Sequence, residues 1–275
     1  MIRYAAGVEY DGSRFAGWQA QPHARTVQGA IEAALSKVAN RPVTAVCAGR
    51  TDAGVHATGQ VIHFDTDAPR AAHSWLLGVN SNLDPDVALQ WVQPAPAGYH
   101  ARFSALARHY RYTIVNRLAR PALGRERIAW VYRPLDAQVM QTATHGLVGE
   151  HDFSAFRAAE CQAASPMRRI HHLAVARRGE RVVIDIVANG FLHHMVRNVA
   201  GVLIAVGSGK ASPDWPAAVL ASRDRTAGGV TAPASGLCFM GVCYPPECGW
   251  SLDADSRVLF NAIDPVWLAP RKVQQ

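Results

Sequence analysis

The chain has 275 residues, 49% of them hydrophobic and 18% charged, which excludes global disorder and allows a sizeable core without covalent staples. It contains no apolar run of about 18 residues, so no membrane span is expected. Glu9 and Asp11 interrupt the N-terminal segment before a signal-peptide core could form, so a cytoplasmic protein is expected.

The net charge is +7, and of the 28 cations only Lys37, Lys210 and Lys272 are lysine, leaving 25 arginines. Arginine presents a planar fork that suits phosphates and base edges, so a nucleic-acid partner is one reading. A genome rich in G and C is the other. The cysteines are Cys47, Cys161, Cys238, Cys243 and Cys248, with no C-x-x-C pair. Reduced, buried thiols are expected, and no metal site.

In chain order, residues 4–10 read as a strand. Thr26 can cap a helix over 27–39, whose apolar positions Val27, Ile31, Ala34, Leu35 and Val38 recur at helical spacing. Residues 43–48 and 60–65 read as strands, 74–79 as a short helix and 87–92 as a strand. In the second half, 107–116 reads as a strand with Tyr110, Tyr112 and Ile114 on one face. Residues 136–148 read as a helix capped near Asp136. Two strands, 169–176 and 181–187, flank the turn Arg177-Arg178-Gly179-Glu180. A long helix over 191–206 and a last strand over 237–244 follow. Each half therefore runs β-α-β-β-α-β, the split βαβ order, and predicts an α+β fold of two ferredoxin-like, RRM-like halves with mainly antiparallel sheets. The boundary falls in the Pro- and Gly-containing stretch 93–100. This gives an N-terminal domain over 1–100, a C-terminal domain over 101–246 and an unassigned tail over 247–275. Insertions near 118–134 and 151–168 are rich in arginine, and loops of that length are commonly functional. They are expected to grip RNA; charge reversal at Arg125, Arg127 and Arg157 tests this through affinity and its salt slope.

The densest unusual segment is Cys47-Ala48-Gly49-Arg50-Thr51-Asp52-Ala53-Gly54-Val55-His56-Ala57-Thr58-Gly59-Gln60. It joins two expected strands, is longer than a hairpin requires, and its glycines allow close approach to a ligand. Asp52 reads either as a turn cap or as a reactive carboxylate. A carboxylate can form a covalent intermediate at an electrophilic carbon such as a sugar C1′ or a pyrimidine C6, provided it stays ionised. A nearby guanidinium favours that form. Arg197 is a candidate, because the 191–206 helix sets His193, His194, Arg197 and Asn198 opposite an apolar face; a solvated stripe is the plainer reading. On the 107–116 strand, alternation puts Arg108, Tyr110 and Tyr112 on one face, either stacking on an extruded base or packing in the core.

Four segments together resemble the tRNA pseudouridine synthase A family, which modifies the anticodon stem-loop. Glu9-Tyr10-Asp11-Gly12-Ser13-Arg14-Phe15-Ala16-Gly17-Trp18-Gln19 is similar to its opening signature, with Phe15 where tyrosine is common. Gly49-Arg50-Thr51-Asp52-Ala53-Gly54-Val55-His56-Ala57 resembles its active-site loop without a break. Ala107-Arg108-His109-Tyr110-Arg111-Tyr112 and Phe191-Leu192-His193-His194-Met195-Val196-Arg197-Asn198 resemble its R-x-Y-R-Y strand and H-H-M-V-R-N helix, and Ser235-Gly236-Leu237 precedes a terminal strand.

The resemblance implies that Asp52 is the catalytic aspartate and that Tyr110 lies against the target uracil and can help move its C5 proton. It implies that Arg197 pairs with Asp52, Arg50 occupies the gap left by the flipped nucleotide, and Leu237 packs near the target base. It implies an active-site cleft between two ferredoxin-like halves, a homodimer, a tRNA substrate modified at nucleotides 38–40, and no cofactor. Whether Asp52 attacks C1′, attacks C6 or abstracts a sugar proton stays open. A non-catalytic RNA-binding protein with RRM-like halves is the alternative, but no RNP1-type octapeptide is present. A hydrolase acting through Asp52 would want a second carboxylate or a metal, and the loop holds one carboxylate.

Overall fold

The computed structural model describes residues 1–248 and Trp250; the rest of the 247–275 tail lies outside the described residues. The chain is α+β with mainly antiparallel pairing, and none of its described helices is long and apolar enough to cross a membrane. It divides into two compact units, Met1–Arg108 with the chain from Phe239 onward, and His109–Cys238.

In the first unit, β1 (Ile2–Tyr10) pairs antiparallel with β3 (His56–Thr66) on one side and with β4 (Val87–Pro94) on the other. The short β2 (Ala45–Cys47) pairs antiparallel with β3, in the register Val46 to His63. The last strand, β10 (Leu237–Cys243), also neighbours β3 and enters this unit from Phe239. Helix α1 (Val27–Ala39) starts where the sequence predicts: the Thr26 hydroxyl accepts from the Gly29 N–H at 3.3 Å. Asn40, in the left-handed region at φ +55°, ends it. Ile31, Leu35 and Ala34 of α1 are buried, as are Trp75 and Val79 of α2 (Ala72–Asn80). Trp75 meets Phe64 edge-on at 5.2 Å, and Phe64 stacks on Tyr4 at 5.5 Å, so helix and sheet share one aromatic core.

In the second unit, β5 (Ala107–Asn116) lies beside β9 (Arg181–Ala188), followed by β8 (Met167–Arg178) and β7 (Gly149–Asp152). The short β6 (Ala129–Val131) runs parallel to β5 inside the first insertion. Helix α3 (Ala137–Thr142) has the expected cap, with Asp136 accepting from the Gln138 and Val139 N–H groups. It stops at Thr142 rather than at 148, because the chain turns through Gly149 (φ +107°) into β7, whose pairing with β8 overrides local helical preference. Helix α4 begins at Met195 and runs to Gly207, not from Phe191 as its apolar period predicts. His194 adopts a left-handed conformation (φ +62°) as its N-cap, and the His193 carbonyl accepts from Ala158 of the second insertion at 2.9 Å. The buried face of α4 packs with α3 and with α5 (Trp215–Ser222), a helix additional to the expected elements, with Asp214 as its N-cap and Pro216 in its first turn.

Candidate active site

The segment around Asp52 is shorter than the sequence predicts. Strand β3 begins at His56, so the connection from β2 covers residues 48–55. His56 therefore belongs to the strand; it is buried, and its Nδ1 accepts the Gly12 N–H at 3.1 Å. It anchors the opening segment and offers no free ring to the loop.

The loop is fixed at both ends. At its start, the buried Gln60 donates from Nε2 to the Gly49 carbonyl at 2.7 Å. Arg108 donates to the Ala48 carbonyl at 3.1 Å, and also to the carbonyls of Arg102 (2.6 Å) and Ala105 (3.0 Å). Its guanidinium thus ties three backbone carbonyls together beside the loop. At the loop's far end, the Tyr10 and Thr51 hydroxyls lie 2.7 Å apart in the interior. The Trp18 N–H donates to the Thr51 carbonyl at 2.9 Å, and the Val55 N–H closes a turn on the Asp52 carbonyl at 3.2 Å. Gly17 passes so close that a Cβ there would sit 2.9 Å from the Thr51 carbonyl oxygen, and its φ of +99° favours glycine besides. The residues around the opening signature therefore form the cradle of the 48–55 loop.

Within that cradle Asp52 is half-buried and Arg50 exposed. A cavity of about 330 Å³ opens beside the loop, lined among others by Trp18, Cys47, Gly49, Arg50, Arg102 and Arg108. Burial pushes the Cys47 thiol up to about 12, so it is an inert wall and not a nucleophile. Phe103, next to Arg102, is exposed and stacks on His100 at 4.3 Å. None of the five cysteines is in a disulfide; Cys47 and Cys243 are buried as expected, while Cys161, Cys238 and Cys248 are partly exposed.

In the second unit, Tyr110 is buried to 7% exposure and meets Phe191 edge-on at 5.0 Å. Tyr112 is core: its hydroxyl donates to the Pro233 carbonyl at 2.9 Å and burial pushes its phenol up. Gly236 allows this, since a Cβ at that position would lie 2.6 Å from the Tyr112 ring. Leu237 follows directly, buried at the start of β10. Arg197 is half-buried and donates from Nε to the Ala232 carbonyl at 2.8 Å.

The polar stripe on the 191–206 segment is not a single helical face. His193 and His194 precede the helix, with their rings 4.1 Å apart. Asn198 is buried, donating to the Phe156 carbonyl at 2.7 Å and accepting from Thr231 and Arg225. It ties the second insertion and the 225–231 segment to α4. On the other face of β5, fully buried His109 and half-buried Arg111 both bond Asp185, at 2.7 and 2.9 Å. Burial works to raise the Asp185 carboxyl, but these hydrogen bonds and charges outweigh it and hold it below the usual range.

A family model described as tRNA pseudouridine synthase matches residues 6–104 and 143–245; the strand carrying Tyr110 falls between the two matched stretches. The chain is 56% identical over 253 residues to a protein of Methylococcus capsulatus named tRNA pseudouridine synthase A, covering 92% of this chain and 93% of that one. It is 57% identical over 244 residues to the protein of the same name from Nitrosococcus oceani (89% and 94%) and 53% identical over 247 residues to that of Coxiella burnetii (90% and 95%).

Proposed function

The chain belongs to the tRNA pseudouridine synthase A family, and we infer that it isomerises uridine to pseudouridine in the anticodon stem-loop of tRNA, at nucleotides 38–40. The reaction breaks the N1–C1′ bond, rotates the uracil, joins C5 to C1′ and releases the C5 proton as N1 regains one. Nothing else is gained or lost, so no cofactor is called for. The target nucleotide leaves its stack at a cost of a few kcal/mol, which phosphate contacts offset.

Asp52 is the catalytic carboxylate in this reading. What supports it is its setting: a half-buried carboxylate in a short loop whose flanking backbone is hydrogen-bonded at Gly49, Thr51 and Val55. Such fixing is what a group must have to meet a reacting atom within a fraction of an ångström. Tyr110 packs against the target uracil, Arg197 pairs with Asp52, Leu237 adds apolar surface near the base, and Arg50 fills the gap in the RNA. The order β4-β1-β3-β2 in the first unit is the split βαβ order, and we read both units as ferredoxin-like halves. The enzyme acts in the cytoplasm as a homodimer; a solution mass of twice the 29.7 kDa chain supports that assembly, and a monomer mass refutes it.

The deciding experiment compares wild type with Asp52→Ala on unmodified tRNA carrying C5-tritiated uridine in the anticodon stem-loop. Tritium release by the wild type, lost in the variant while the gel shift persists, supports the assignment. Release that survives in Asp52→Ala overturns Asp52. Liberation of free uracil by the wild type, instead of exchange with retained base, would make the enzyme a hydrolase.

A further inference from the structure

In the second unit, the β8–β9 hairpin closes through Gly179 (φ +59°) and Glu180, which sets Arg178 and Arg181 opposite each other as the last register pair. Like charges directly opposite on neighbouring strands destabilise a hairpin. Glu180, the acidic residue of the turn, is engaged by Arg117 at 3.0 Å, and the neighbouring Arg177 is committed to Asn116 and the Leu135 carbonyl. Among the described residues, neither Arg178 nor Arg181 has a side-chain partner, and both are exposed.

The same end of the sheet carries two exposed aromatic rings. Trp130, 42% exposed, donates its indole N–H to the Arg117 carbonyl; Tyr132, 51% exposed, lies 6.1 Å from it. The Arg133 guanidinium stands 5.7 Å over the Tyr132 ring. Unopposed guanidinium groups beside exposed aromatic faces are the chemistry that holds a sugar-phosphate backbone and stacks on what it presents. The position matters as much as the composition. From Tyr110 to Asn116, beside this tip, β5 runs six residues, roughly 20 Å at ~3.3 Å per residue. A group at that distance cannot touch a base lying against Tyr110.

We propose that the β8–β9 hairpin tip, with Trp130 and Tyr132, is a second RNA-binding surface that takes the phosphate backbone of the tRNA body outside the stem-loop carrying the target uridine. This rests on the tRNA substrate inferred above. It accounts for a cross-strand Arg178–Arg181 pair that the fold alone has no use for: the repulsion is relieved when phosphates approach.

The test measures binding of full-length tRNA and of the isolated anticodon stem-loop to the full-length wild type and to Arg178→Glu/Arg181→Glu, over a salt series. The expected result is a loss of about tenfold or more in affinity for tRNA, a salt slope shallower by about two, and unchanged affinity for the stem-loop. Arg178→Lys/Arg181→Lys is expected to retain most of the tRNA affinity. If the charge-reversed hairpin lowers the melting temperature, Arg178→Gln/Arg181→Gln and Tyr132→Ala carry the same comparison, each expected to weaken tRNA alone. Unchanged tRNA affinity in folded variants, or equal losses on tRNA and stem-loop, overturns the proposal. Tritium release by the wild type from both RNAs is followed in parallel. Its absence would defeat the assigned reaction, whereas the binding comparison decides this surface separately.

Discussion

The hydroxyl of Tyr10 lies 2.7 Å from that of Thr51, the residue immediately before Asp52, and neither is exposed. The two are 41 positions apart in the chain. Their contact makes the end of β1 a part of the reactive loop's geometry. With the Trp18 N–H on the Thr51 carbonyl, it holds the peptide that carries the Asp52 nitrogen from two sides. Two residues of the opening signature thus have a structural role in the loop they support.

Tyr10→Phe removes that contact and keeps the ring packed beside Trp18. It should cost about 1 kcal/mol of stability, the usual value of one hydrogen bond. Activity should suffer more. If the contact positions Asp52, kcat for tritium release falls by about tenfold while the tRNA dissociation constant is unchanged. A variant with wild-type kcat would show that Thr51 is held well enough by backbone alone.

Gly17→Ala puts a methyl group 2.9 Å from the Thr51 carbonyl oxygen at a backbone φ of +99°. The left-handed conformation alone costs about 1–2 kcal/mol for a residue with a Cβ. The relief available is a shift of residues 51–53, which displaces Asp52. A drop of several degrees in melting temperature accompanied by a loss of kcat is expected. A stable protein with full activity would mean that the loop tolerates movement at this point.

The parts of this architecture that were legible are those with local causes. The period of Val27, Ile31, Ala34 and Leu35 and the cap at Thr26 define α1 without reference to the rest of the chain. The loop around Asp52 stood out because glycines and polar residues interrupt two apolar strands. Its tethers did not, because Tyr10, Gln60 and Arg108 act on it from other elements. Arg108 in particular shows in the sequence only as one residue of a strand face, while the carbonyls it holds belong to other segments. The start of α4 differs from the sequence pattern for a similar reason: the apolar period continues back through Leu192, while the chain turns at His194 in a conformation no side chain there announces. Asn198 falls on the polar side of the expected helix, yet it is buried because the 153–161 and 225–231 segments bond to it.

Asp185→Asn tests the polar network on the far face of β5. The carboxylate accepts from fully buried His109 and from Arg111, and its pKa is held below the unfolded value of about 3.9. Replacing it removes charge-assisted bonds worth about 1–3 kcal/mol at neutral pH. A depressed carboxyl contributes its full stabilisation above the unfolded pKa and loses it as pH falls through the folded one. The stability gap between wild type and variant, measured by denaturant titration, should therefore be constant from pH 5 to 7 and shrink below about pH 4. A gap independent of pH down to 3 would show that the charge contributes nothing.

His63 sets an acid limit in a different range. Its ring is buried, edge-on to Tyr99 and His100, and Nδ1 accepts the Ala101 N–H at 3.1 Å, which requires the neutral form. Burial first, then the charges of Arg3 and His100, push its pKa down to about 4, against about 6.5 in the unfolded chain. Between those values the unfolded chain binds the proton and the folded one does not, so stability rises with pH across that window and levels off above it. The slope from one such group cannot exceed about 1.4 kcal/mol per pH unit. His63→Asn retains a possible acceptor for Ala101 and does not titrate. Its stability should be flatter between pH 4 and 6.5 by up to that amount, with little change at pH 7.5. An undiminished slope would move the acid sensitivity to His100, whose ring lies 4.6 Å away and is shifted in the same direction.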